Sequence, residues 1–205
     1  MYQGMTVNFL YMLFRLVAAV RYASVWFFSM AVYYMVLCIM RAYLAFGYRR
    51  AKREGAAYEV QCYRRTAAML FILNIPMGGM IVLMVQTDSG YSYPGYLIYL
   101  SAFYTMYMMI LSAANLVKFG KIGSPILSAA RILNFVSAMM SVLGLQTAMI
   151  ARFSSHGAGY RKMMNAMTGG IVFFIVMVTV IVMMIQSSKV KKEVEDSEEI
   201  RKQIL

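Results

Sequence analysis

Apolar residues fall in long blocks bounded by charge, Gly or Pro, and the charged residues gather in short clusters between the blocks. A hydrocarbon core about 30 Å thick is crossed by about 20 mostly apolar helical residues, so each block of that length predicts a transmembrane helix. Six can be placed, over residues 2–20, 23–46, 66–86, 94–117, 125–150 and 165–186. Ser92 ahead of Pro94 and Ser124 directly before Pro125 are ordinary helix-start chemistry, because a proline in the first turn withholds an amide that has no acceptor anyway. The first block has no cation before Arg15, whereas a secretory signal carries its cations first; it is expected to be retained as a span.

Composition agrees with this pattern. Hydrophobic residues make up 61% of the chain and charged residues 14%, with a mean hydropathy of +0.64. Soluble domains lie nearer about 45–50% and about 25%, so the expected fold is an all-α, multi-pass integral membrane protein. Residues 1–186 form the helical domain and residues 187–205 a charged tail, expected as a helix or a solvated segment.

The net charge of +12 adds orientation. Of the cations outside the blocks or at their edges, fourteen lie in the 47–65 segment, near 118–131 and in the tail; four lie on the other side, at Arg21, Arg152, Arg161 and Lys162. The positive-inside rule then puts both termini of a six-span chain in the cytoplasm, and a plasma membrane is the expected location. Arg49, Arg50, Lys52, Arg53, Arg64 and Arg65 form a basic patch suited to anionic lipid or a docking partner, at about 1 kcal/mol per surface cation. Nucleic acid is a poor explanation of the same charge. Cys38 and Cys62 are not placed for a structural disulfide in a reducing compartment. Trp26, Tyr91, Tyr93, Tyr96 and Tyr99 fall near the proposed outer interface and Tyr43, Tyr48, Tyr58 and Tyr63 near the inner one, as an aromatic belt would.

Shifting the sequence by sixty residues pairs 73–87 with 133–147, and seven of fifteen positions are identical, including Asn74/Asn134, Gln86/Gln146 and Thr87/Thr147. Val7-Asn8-Phe9 resembles the start of the same stretch. Three tandem parallel hairpins are the expected organisation, at about residues 1–47, 65–120 and 124–187. The Pro-x-(Asp/Glu)-x-x-(Lys/Arg) signature of mitochondrial carriers is absent from the odd-numbered spans.

If the repeat is real, Asn8, Asn74 and Asn134 lie at one depth, roughly 12 Å along their helices, where three carboxamides would suit a polar solute. The plainer reading is interhelical hydrogen bonding. Pro76, followed by Gly78-Gly79, predicts a kink whose freed carbonyls would add to such a site. Arg15 either snorkels to the interface or attracts an anionic solute or lipid phosphate. Arg41 and Arg131 lie near span ends, where they are expected to reach the headgroups. Ser137, Ser141, Gly144, Thr168, Gly169 and Gly170 read as close-packing positions. Arg21 and Asp88 fall at equal depth and form a candidate outer ion pair.

No acidic residue lies inside a block; one His and two Cys offer no ordinary metal set, and no nucleophile–base constellation is visible. The expected function is therefore non-catalytic and free of cofactors. One reading is a transporter, channel or lipid-handling protein for a small polar or amphiphilic solute. The other is an accessory or scaffold subunit, with a homo-oligomer or another membrane protein as partner.

Overall fold

The computed structural model describes residues 2–22, 25–87, 95–117, 124–153 and 157–204, with side-chain detail over most of them. All the ordered elements among them are helices: α1 (Tyr2–Tyr22), α2 (Val25–Glu54), α3 (Ala56–Thr87), α4 (Gly95–Val117), α5 (Pro125–Phe153) and α6 (Ala158–Ile204). Among the described residues four helices, α2, α3, α5 and α6, are long and apolar enough to cross a membrane. In α4 the apolar helix covers at least Ile98–Ala114.

At 1.5 Å per residue, the 30 residues of α2 and the 32 of α3 exceed what a 30 Å hydrocarbon layer needs. The 47–65 segment, expected as a connection, is helical on both sides of a single residue, Gly55. Its φ is 86°, and its amide donates to Ala51 O at 2.9 Å, closing the end of α2 with a left-handed cap. Ala, Lys, Arg and Glu around it are good helix formers, so helix continues where a loop was expected. The tail is likewise helical, as the last part of the 47-residue α6.

α2 carries its buried residues on one face, at Trp26, Met30, Tyr34, Leu37, Arg41 and Leu44, spaced three or four apart. α5 does the same through Ala129, Leu133, Ser137, Ser141, Gly144 and Ala148. This spacing turns one stripe inward and leaves the rest for lipid. α1 lies chiefly on α2, α4 on α5, and α3 on α6. The second of the three expected hairpins, α3 against α4, is therefore not how these helices pair. The close α3–α6 packing depends on small residues. A Cβ at Gly78 would stand 3.2 Å from the Phe173 ring, and one at Gly169 would stand 2.6 Å from Ile81 Cγ2. Water drives no association between lipid-embedded helices, so such close approach and interhelical hydrogen bonds hold the bundle together.

Candidate functional site

The inner faces of α1, α2, α4 and α5 meet on a string of polar side chains. Asn8 is fully buried; its Nδ2 donates to Ser137 Oγ at 3.1 Å, and Tyr104 Oη donates to its Oδ1 at 2.7 Å. Ser137 Oγ also accepts from Arg41 Nη2 at 3.0 Å and donates to Leu133 O at 2.8 Å. Arg41 Nη2 reaches Leu133 O as well, at 3.3 Å. Two turns further along α1, Arg15 Nε donates to Tyr11 Oη at 2.9 Å, Nη2 donates to the same oxygen, and Nη2 lies 3.4 Å from Ser101 Oγ.

Aromatic rings join the two levels. Tyr11 stacks on Tyr104 with centroids 3.6 Å apart, and Tyr34 meets Tyr11 edge-on at 5.0 Å. The Arg15 guanidinium also sits over the Tyr11 and Phe27 rings, at 5.0 Å and 5.6 Å. Seven residues separate Asn8 from Arg15, so the ladder runs about 10 Å along the bundle. α1, α4 and α5 contain no acidic residue, and α2 has only its last, Glu54.

Arg41 corrects the sequence reading, and Arg15 leaves only the second of its two readings. Arg15 is 1% exposed and Arg41 3%, so neither snorkels to an interface. Neutral acceptors take the place of water around both, joined at Arg15 by π faces. Gly144 gives Arg15 its room: a Cβ there would stand 3.1 Å from both Arg15 Nη2 and Met30 Cε. Trp26 and Tyr63 are likewise no belt residues, both being buried, whereas Tyr96 and Tyr99 do face outward; Tyr91 and Tyr93 lie outside the described residues.

The three asparagines do not share one site. Asn8 belongs to the ladder. Asn74 is buried on α3, where its Nδ2 lies 3.8 Å from Met177 Sδ on α6 and its Oδ1 has no bonding partner among the described residues. Asn134 is half-buried on α5. The matched sequences thus meet different neighbours, because α3 packs on α6 and α5 on α4. Pro76 does not break α3, which is helical through it. Its ring instead lines a groove of about 370 Å³ between α2 and α3, bordered by Phe28, Val32, Leu73 and Leu83.

Arg21 is exposed at the end of α1; Asp88 lies outside the described residues, as does Ser92 with Pro94. Beside Arg21, the hydroxyls of Tyr22 and Tyr96 bond α1 to α4. Arg49, Arg50, Lys52, Arg53, Arg64 and Arg65 are all exposed around the Gly55 turn. Arg50 pairs with Glu54 at 2.6 Å, which holds its guanidinium above its ordinary pKa, and it lies over the Tyr58 ring.

Sequence reasoning missed the tyrosines and Ser101. The signal was present: Tyr11, Tyr34 and Tyr104 lie in the middle of apolar blocks, where an interfacial aromatic has no place. The chain matches no protein-family model, no curated protein and no solved structure.

Proposed function

We infer that this protein binds and moves a small polar or amphiphilic solute across or within a membrane, without catalysis. The observation that supports this reading is the ladder from Arg41 through Ser137, Asn8 and Tyr104 to Tyr11 and Arg15. Two guanidinium groups, a carboxamide and several hydroxyls gathered among otherwise apolar helices are costly to bury for packing alone. In this reading all six helices cross the bilayer, both termini and the Gly55 turn are cytoplasmic, and the exposed basic residues there rest against anionic lipid.

One observation favours a scaffold instead: Asn8, Arg15 and Ser137 are almost wholly shut off from solvent, as interhelical fastenings would be. Purified protein in liposomes separates the two. Asn8→Leu removes both Asn8 bonds, each worth about 0.6–2 kcal/mol in a membrane. Flux or binding of polar solutes is expected to fall sharply while helicity persists, whereas Asn134→Leu, outside the ladder, leaves flux unchanged. If the wild type moves and binds nothing offered and Asn8→Leu is only less stable, the scaffold reading replaces transport.

A further inference from the structure

The least satisfied charge on the inner face is Arg41. Its guanidinium is 3% exposed, and Nη2 donates to two neutral acceptors, Leu133 O at 3.3 Å and Ser137 Oγ at 3.0 Å. Its Nε has no acceptor among the described residues. Ser137 can give no more, because its oxygen already accepts from both Arg41 and Asn8 while its proton goes to Leu133 O. The acidic residue of its own helix, Glu54, is 13 positions further on, about 20 Å along α2.

A cation so placed is balanced only by dipoles, and burial of an ion carries an effective penalty that neutral hydrogen bonds offset in part. A guanidinium is shaped for the remedy, since its fork accepts two oxygens of a carboxylate or phosphate at once. Tyr34 supplies a further hydroxyl beside it, which reaches Ser137 O at a long 3.5 Å and also lies against the Tyr104 hydroxyl. Arg41 also stands five residues from Phe46, about 8 Å from the expected end of the apolar block. Arg41 itself stays buried, so a phosphate on a lipid headgroup or a free oxyanion has to enter the bundle from that side to meet it.

We propose that Arg41, with Tyr34 and Asn8 beside it, forms a phosphate-class oxyanion site at the Gly55 end of the polar ladder. This rests on reading the ladder as a solute site and names the class of solute. The site holds one oxyanion group, from inorganic phosphate or from the headgroup of an anionic lipid.

The test uses the full-length chain in nanodiscs of phosphatidylcholine, with unfolding followed through Trp26, the one tryptophan, which is fully buried. In one arm sodium phosphate replaces sodium chloride at constant ionic strength; in the other, phosphatidic acid replaces part of the phosphatidylcholine. Near a hundredfold excess over Kd, a rise in Tm of about 5 °C is expected in at least one arm. A rise with phosphate assigns a free anion, and a rise with phosphatidic acid alone assigns a lipid. Arg41→Gln should weaken the apparent affinity by about tenfold or more, as loss of a charge-assisted bond does. That comparison also removes the contribution of the exposed cations near Gly55, which the variant retains. If Arg41→Gln does not fold, Arg41→Lys is measured instead: it keeps the charge without the fork, and its preference for phosphate over chloride should drop.

No rise in either arm overturns the proposal, and so does an affinity unchanged by the substitution. If neither anion binds while a neutral solute still moves in an Asn8-dependent way, the oxyanion site fails and the solute reading stands. Absence of both removes both.

Discussion

Gly144 shows how far a single atom decides the arrangement of the ladder. The missing Cβ leaves space that the tips of Arg15 and Met30 share, and both side chains are pinned, at 1% and 0% exposure. Gly144→Ala is therefore expected to cost about 1–3 kcal/mol, as overpacking of a filled core does. Reversible unfolding in mixed micelles measures it, and a variant as stable as the wild type would show that Arg15 can move aside. The sequence shows Gly144 as a small residue suited to close packing, but not what it packs against. Nothing local in residues 141–147 points to an arginine on α1, 129 positions upstream of Gly144. Arg41 was misread for a related reason. Its nearness to a block end suggested escape to the headgroups, whereas the inward stripe Met30, Tyr34, Leu37, Arg41 and Leu44 fixes which way it faces.

Helices were legible because length, apolar content and punctuation by charge are local properties. The start of α5 at Pro125 and the continuous helix through Pro76 illustrate the two sides of this. A proline in the first turn obeys a backbone rule, whereas one inside a membrane helix is tolerated because neighbouring groups take up the freed carbonyl. Partner choice was not legible. The identities between 73–87 and 133–147 suggested equivalent hairpins, yet α3 is held to α6 by Gly78 against Phe173 and Gly169 against Ile81. Neighbouring glycines on α6 test this packing directly. Gly169→Ala forces a methyl to within 2.6 Å of Ile81 and should loosen α3 from α6, at a cost of about 1–3 kcal/mol. Gly170→Ala meets nothing within 4 Å and should be neutral or slightly stabilising through better helix propensity. Equal effects of the two in the same unfolding assay would discard the close α3–α6 contact.

The bundle as a whole is divided between a polar inner seam at α1, α2, α4 and α5 and a mainly apolar, small-residue seam between α3 and α6, crossed by the Tyr63–Gln186 bond and by Asn74 against Met177. The orientation proposed for it follows from the cations, fourteen against four, and is open to measurement. In a background with Cys38 and Cys62 replaced, a single cysteine at Arg53 should resist an impermeant reagent in intact cells and react once they are opened. One at Arg161 should react from outside. The reverse pattern would invert the topology, and reaction of both from one side would change the number of crossings.

Gly55 joins two unbroken helices through one residue, so the basic tip is no slack tether. Whatever grips that tip pulls on a pair of stiff rods. One of them carries Arg41 about 20 Å from its end, without a joint between. Load applied at the tip therefore arrives at the inner seam as displacement rather than being lost as slack, and the tip and Arg41 behave as two points on one crowbar.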